Sequence, residues 1–244
     1  MKPRLLALDT ASEVLAAALL APAGRWHVNE AGGKLASARL LPLLLELLVR
    51  ANLTVAQLQA VAYGQGPGAF TGLRTACAVA QGLAFAHDTP VLAIDSLLIV
   101  AEDARQQVVD KRLDDGNGLW WVAMDARMDE VYAGAYRHQA DGWRAETAPQ
   151  LWTLAALADA WQGAPPQRVA GSALAAFADR LPWGQAERWP DCQDRAAALL
   201  RLAEAAWANG LTLPAEQAMP LYLRDKVAQT TAERLAQRTA LVAP

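Results

Sequence analysis

The sequence has few of the residues that build metal and redox sites. Its two cysteines, Cys77 and Cys192, are far apart and form no disulfide or zinc pattern, which favours a reducing compartment. The three histidines, His27, His87 and His138, fall on separate predicted elements and have no ligand spacing. These absences argue against a disulfide-rich scaffold and against a histidine-based metal centre.

The sequence also lacks an excess of positive charge and a long apolar run. Its 244 residues carry a formal charge of −3, so no broad basic field is available to hold a nucleic acid. The richest apolar run, residues 40–49, is too short for a membrane span and contains Glu46. The N-terminus has a basic start, but the apolar run that follows it breaks at Asp9 and is too short for a signal peptide. We therefore expect a soluble cytoplasmic protein, with contacts to nucleic acid that are local or made by a partner.

Apolar runs and turn residues divide the chain into two halves with a similar order of elements. Each half begins with three strands and continues with alternating helices and strands, and a charged break at residues 110–118 separates them. This pattern predicts an α/β protein with lobes of residues 1–109 and 110–212, and a C-terminal helix from about residue 213 to 240 could join the first lobe. Predicted strands cover residues 5–8, 14–20, 25–30, 60–63, 90–94, 119–124, 130–137, 143–147 and 167–171, and predicted helices cover residues 37–50, 71–87, 96–109, 154–161, 172–179 and 195–209.

The stretch GQGPGAFTGLRTA, residues 64–76, joins a glycine-rich turn to a predicted helix. Its glycines match neither the dinucleotide-binding fingerprint nor the P-loop. Free N–H groups at the helix start, where Thr71 is the predicted N-cap, and the side chain of Arg74 could still hold a phosphate. The alternative is a tight turn whose glycines let a helix of small residues pack closely on the sheet. The residues alone leave both interpretations open.

The predicted helix at residues 37–50 has more leucine than one sheet requires. Six of its leucines cover more than half of the circumference, whereas a helix that lies on its own sheet needs a stripe of about 100°. The surplus predicts a second contact surface, either a partner protein or the other lobe of the same chain. The predicted interface residues are Leu40, Leu41, Leu44, Leu45 and Leu48, with Ala76 and Ala80 of the neighbouring helix.

A polar cluster in MDARMDEVY contains Asp125, Arg127, Asp129 and Glu130. Several carboxylates beside an arginine are compatible with acid–base chemistry. The alternative, which we favour, is a hairpin turn in which Asp125 binds nearby N–H groups and Arg127 pairs with an acid. The sequence assigns no chemistry to this cluster.

Several of these stretches together resemble one protein family. GPGAFTGLR before an alanine-rich helix, then PVLAIDSL and VAMDARMDEVYAGAY, are similar to the bacterial TsaB family, also called YeaZ. The opening LALDTASEVLAAAL and the late PLYLRDKVA extend the resemblance over nearly the whole chain. The resemblance implies a two-lobed actin-like, Hsp70-like ATPase (ASKHA) fold, in which each lobe is a mixed sheet flanked by helices.

The resemblance also implies a function. TsaB proteins act in the threonylcarbamoyl modification of the adenosine beside the tRNA anticodon, as the non-catalytic partner that binds and activates TsaD. TsaC makes the threonylcarbamoyl-adenylate, and the ATPase TsaE joins a larger complex. The early helices are expected to bind TsaD, or a second copy of the chain in a homodimer when TsaD is absent. Contact with tRNA is expected only through the complex, and ATP or ADP is expected only at the level of the complex.

The metal-binding residues of catalytic relatives can be compared with the matching positions of this sequence. Those relatives carry an H-x-x-x-H metal pair, and the matching positions here are Ser96 and Val100, which cannot replace imidazoles. No catalytic residue and no metal site are therefore expected, and the missing pair argues against a metallopeptidase. An independent ATP-dependent phosphotransferase or ATPase remains the alternative, because in such enzymes an acid at the position of Asp9 holds the metal of the nucleotide. Asp9 could instead cap its turn. The candidates for weak nucleotide contact are Asp9, Thr10, Gly66, Gly68, Thr71 and Arg74.

Overall fold

The computed structural model describes residues 2–33 and 36–224, which build two five-stranded sheets and the helices around them. The first half contains β1 (Leu5–Asp9), β2 (Val14–Ala21), β3 (Gly24–Ala31), α1 (Ala36–Arg50), β4 (Ala60–Gly66), α2 (Phe70–Phe85), β5 (Val91–Asp95) and α3 (Ser96–Asp110). The second half contains β6 (Gly118–Asp125), β7 (Glu130–Gln139), β8 (Gly142–Thr153), α4 (Leu154–Gly163), β9 (Arg168–Ala170), α5 (Ala173–Ala176), β10 (Glu187–Trp189) and α6 (Arg195–Ala208).

The two sheets have the same strand order. The first sheet runs β3-β2-β1-β4-β5, and the second runs β8-β7-β6-β9-β10. In each sheet the first three strands pair antiparallel and the last two add in parallel. The repeated element order and the two-lobed α/β architecture that the sequence predicts are therefore confirmed.

The sheets and helices form five layers. Helices α1 and α2 cover one face of the first sheet, and α6 covers its other face. Helix α3 lies beside α6 and packs on the second sheet, whose outer face carries α4 and the short α5. Within the described ranges, no helix has both the length and the apolar character needed to cross a membrane.

The last helix of each half packs on the sheet of the other half. Although α6 follows the second sheet in sequence, its Leu199 belongs to the same apolar cluster as Leu5 of β1. Helix α3 comes from the first half, yet its Val100 belongs to the cluster that contains Trp120 of β6. The predicted boundary near residue 110 therefore separates the two sheets but does not assign the helices to them. Helix α3 packs mainly on the second sheet, and helix α6 packs on the first.

The chain after α6 runs along the first lobe and does not form the expected helix. Residues 213–224, called the C-terminal segment below, contain a single 3-10 turn at Ala215–Gln217. Leu213 pairs with Val91 at the edge of β5 through two backbone hydrogen bonds of 2.8 and 2.9 Å. The expected helix is thus wrong over residues 213–224, and its remainder, from residue 225, lies outside the described residues.

Candidate functional site

The glycine-rich turn between β4 and α2 lies against the turn that follows β1. A Cβ atom at Gly72 would stand 1.8 Å from the carbonyl oxygen of Thr10, and one at Gly68 would stand 2.4 Å from that of Ala11. The Thr10 hydroxyl donates to the Gly72 carbonyl at 2.7 Å. The Ala69 N–H donates to the Ala11 carbonyl at 2.8 Å. These glycines thus permit close contact between two backbones, which supports the packing interpretation of the turn.

Asp9, at the end of β1, is fully buried and both of its carboxylate oxygens are occupied. One oxygen accepts the Ala11 N–H at 2.6 Å, so Asp9 caps its turn as the second interpretation predicts. The other oxygen accepts Nε of Arg195 at 2.6 Å. Burial alone would lower the pKa of Arg195, but the Asp9 charge holds it above its ordinary value. The pair is therefore a buried salt bridge, and sequence analysis missed its arginine.

A cavity of about 1000 Å³ lies between the two lobes. Three arginines contribute to its lining, and among the described residues each of them has a carboxylate partner. Its walls carry more apolar than polar surface, and the lining also includes one thiol. Within ranges 2–33 and 36–224, the cavity thus presents no unpaired arginine to a phosphate. Representative lining residues are Phe70, Leu97, Met124, Tyr132, Cys192 and Tyr222.

The six predicted nucleotide-contact residues lie in three different environments. Gly68 lines the cavity, whereas Asp9, Thr10 and Gly66 are buried beside it in the packed turn. Thr71 and Arg74 are exposed. The Arg74 guanidinium lies 3.9 Å from the Phe70 ring centroid, and its Nε donates to the Tyr222 hydroxyl at 3.1 Å. Nucleotide contact by these six residues stays a prediction.

Ser96 and Val100 occupy the first turns of α3, at the cavity, and each is 2% exposed. The Ser96 hydroxyl accepts the N–H of Gly66 at 3.0 Å, and the Ser96 carbonyl accepts Nη2 of Arg195 at 3.3 Å. Ser96 thus links the glycine turn to the start of α6. Over the described part of the chain, no group of three or more His, Cys, Asp or Glu side chains is placed to hold a metal ion.

The MDARMDEVY cluster forms the turn between β6 and β7. The Arg127 N–H donates to Asp125 Oδ1 at 2.7 Å, and the Arg127 side chain pairs with Glu13 of the first lobe at 3.0 Å. Arg127, Met128 and Asp129 all have positive φ angles, between 57° and 64°. The prediction of a hairpin turn with a capping aspartate and a paired arginine is therefore confirmed.

Most of the predicted interface residues are enclosed by their own chain. Leu40 and Leu44 have no exposed surface, and Leu48 is 2% exposed, because these three side chains pack on the first sheet. Ala76 and Ala80 of α2 are also fully buried in the same cluster. The prediction that these five residues are available to a partner is therefore wrong.

The other side of α1 remains uncovered by the described residues. Leu41 is 41% exposed and Leu45 is 43% exposed, and Val49 continues their four-residue spacing at 78%. Helix α2 contacts α1 on the same face of the sheet, and its exposed Phe85 was not predicted. We call these four side chains, Leu41, Leu45, Val49 and Phe85, the α1–α2 outer face.

Comparisons with known proteins agree with the architecture. The family model described as TsaD, tRNA N6-adenosine threonylcarbamoyltransferase, matches residues 29–232. The tRNA threonylcarbamoyladenosine biosynthesis protein TsaB of Haemophilus influenzae is 32% identical over 91% of this chain and 94% of that protein. The protein of the same name from Escherichia coli is 30% identical over 92% and 96%. The solved structure of YeaZ from Pseudomonas aeruginosa is 37% identical, with a TM-score of 0.79 over 91% of this chain and all of that one.

Proposed function

The chain belongs to the TsaB (YeaZ) family, within the wider group that the TsaD model describes, and we propose that it binds and activates TsaD. Its general role is therefore in tRNA threonylcarbamoyladenosine biosynthesis. In the proposed complex TsaD carries out the transfer, and this chain supplies a surface that stabilises the active form of TsaD. TsaE joins a larger assembly, and tRNA is contacted only through that assembly.

The α1–α2 outer face is the observation that carries this proposal. Its four large apolar side chains lie on two adjacent helices. The exposed side of α2 also carries the small residues Ala78 and Gly82, which allow another backbone to approach closely. A small, regular helical surface of this kind suits packing against the helices of another protein. Covering roughly 300 Å² of apolar surface would contribute on the order of 7 kcal/mol, before the cost of association is subtracted.

The polar pairing at the cleft, by which we mean the cavity between the lobes together with the packed turn around Asp9, supports a non-catalytic role. The carboxylate of Asp9 is occupied by Ala11 and Arg195, so a metal–nucleotide complex would have to displace a buried ion pair. We therefore place any ATP or ADP of the complex mainly on the partner. The alternative of an independent ATPase predicts turnover by the isolated chain that is lost in Asp9→Ala.

The test uses the variant that carries Leu45→Glu and Val49→Glu. Both side chains are exposed, so the variant should fold normally, while two carboxylates at an apolar contact should weaken TsaD binding by roughly a hundredfold. Binding is measured by size exclusion and calorimetry with purified TsaD, and activation by tRNA modification in the reconstituted system. The matched control is Leu113→Glu, which changes a leucine that is 62% exposed outside this face.

Two results would contradict the proposal. A folded double variant that binds and activates TsaD like the unchanged chain would remove the outer face from the function. ATP hydrolysis by the isolated chain, abolished by Asp9→Ala, would favour the enzyme alternative. The proposal also implies that a homodimer formed through the same face dissociates when TsaD is added, since one surface cannot serve both partners.

A further inference from the structure

The C-terminal segment is firmly attached to the first lobe over its first part. The Tyr63 hydroxyl donates to the Met219 carbonyl at 3.2 Å and accepts the Met219 N–H at 3.0 Å. Cys77 Sγ and Gln81 Nε2, both on α2, donate to the Ala218 carbonyl at 3.3 and 3.0 Å. Ala218 itself has no exposed surface. Together with the backbone pairing at β5, these contacts fix the segment up to residue 219.

The last four described residues, 221–224, approach the second lobe. The Leu221 N–H donates to the Gln65 carbonyl at 2.6 Å, and the ring of Tyr222 lies 5.1 Å from that of Phe70. All four residues, 221–224, contribute to the wall of the cavity between the lobes. This part of the segment therefore lies where the two lobes face each other.

Arg224 completes the connection to the second lobe. Its guanidinium forms an ion pair with Glu130 at the start of β7 and donates to the Arg127 carbonyl at 3.2 Å. The Arg224 side chain is 13% exposed. A second ion pair at the cavity, Arg127 with Glu13, also joins the lobes, but it is 72% and 89% exposed and is therefore screened by solvent. The Arg224 pair is thus the better shielded of the two.

We propose that residues 221–224 act as a latch, which ties the second lobe to the first and controls access to the cavity. Separation of the lobes at this side requires the Arg224 pair to break, and a bulky molecule can enter more readily once it has broken. The firm attachment at residues 213–219 means that release is local to the latch. This role is independent of TsaD binding and of the α1–α2 outer face.

The two cysteines provide separate reporters for this movement. Cys192 lines the cavity, and burial raises the pKa of its thiol to about 12. Cys77 lies beneath the firmly attached part of the segment, and burial raises the pKa of its thiol as well. The variants Cys77→Ala and Cys192→Ala each leave one thiol, whose reaction with a bulky maleimide is followed over time.

Breaking the latch should expose the cavity thiol selectively. In Arg224→Ala and in Glu130→Gln, we expect Cys192 to react roughly tenfold faster while the rate at Cys77 is unchanged. The combination Arg224→Glu with Glu130→Arg should restore the rate at Cys192, because it rebuilds the ion pair with its charges exchanged. Arg180→Ala is the matched control, since it removes the ion pair to Asp129 in the same turn without touching the segment.

Two outcomes would overturn the latch. One is an unchanged rate at Cys192 in both single variants. The other is an equal acceleration at both thiols together with a lower melting temperature, which would indicate loss of the whole fold. Circular dichroism of each variant separates the second outcome from selective opening of the cavity.

Discussion

The cleft, at the junction of the two lobes, and the α1–α2 outer face, on the first lobe, leave different groups free. In the cleft, Asp9 and Arg195 neutralise each other. The space beside the glycines of the turn is occupied by backbone atoms of the turn after β1. On the outer face, apolar side chains remain uncovered by the described chain. The difference teaches that the buried charges beside the glycine turn are paired within the chain, whereas these uncovered apolar side chains lie on a pair of helices.

The largest expected effect is a difference in stability between substitutions at two adjacent leucines of α1. Leu44 is fully buried, so Leu44→Glu should cost on the order of 5 kcal/mol or more in unfolding free energy, which approaches the stability of a whole domain. Leu45 is 43% exposed, so Leu45→Glu should change that free energy by less than about 0.5 kcal/mol. Urea unfolding followed by circular dichroism measures both. Equal losses in the two variants would mean that α1 is rotated relative to the sheet.

The helical wheel could predict the width of the leucine face but not its orientation. Leucine occupies both the buried and the exposed side of α1, and the helix alone does not show which side meets the sheet. The sequence therefore does not distinguish Leu40 from Leu41, although in the structure Leu40 is fully buried and Leu41 is 41% exposed. By contrast, the strands and their order follow from short apolar runs between turns, so the lobes were predictable.

Other differences have local physical causes. Strand β8 extends through Pro149 to Thr153, beyond its predicted end, because an edge strand tolerates a residue without an N–H. Strand β10 has three residues and too little pattern to predict. Helix α2 begins after Ala69, which caps it without a side-chain bond, so the predicted Thr71 cap is wrong. The Asp9–Arg195 pair joins residues 186 apart, and only the packing of α6 on the first sheet creates it.

The next largest expected effect is the loss of stability when the buried pair between Asp9 and Arg195 is broken. Arg195→Ala should destabilise the fold by about 3 to 5 kcal/mol, because it leaves the Asp9 carboxylate buried without its cation. Adding Asp9→Asn should recover part of the loss, since the unpaired charge is then removed. The control is Arg25→Ala, which breaks the exposed pair between β3 and Glu204 of α6 and should cost less than about 1 kcal/mol. If Arg195→Ala cost no more than the control, the cleft would not depend on the pair.

The smallest effects compare two glycines of the same helix, one at the cleft and one on the outer side of α2. Gly72→Ala should destabilise by about 1 to 3 kcal/mol, because its Cβ would collide with the Thr10 carbonyl oxygen in the packed turn. Among the described residues, and apart from its neighbours in the α2 backbone, nothing lies within 4 Å of a Cβ added at the exposed Gly82, so Gly82→Ala should stabilise by about 0.5 to 1 kcal/mol. Thermal and urea unfolding of the two variants give opposite signs if the turn is held by backbone contact. A neutral Gly72→Ala would instead show that the turn after β1 can move away from α2, and the cleft would then be adaptable enough to admit a ligand at Asp9.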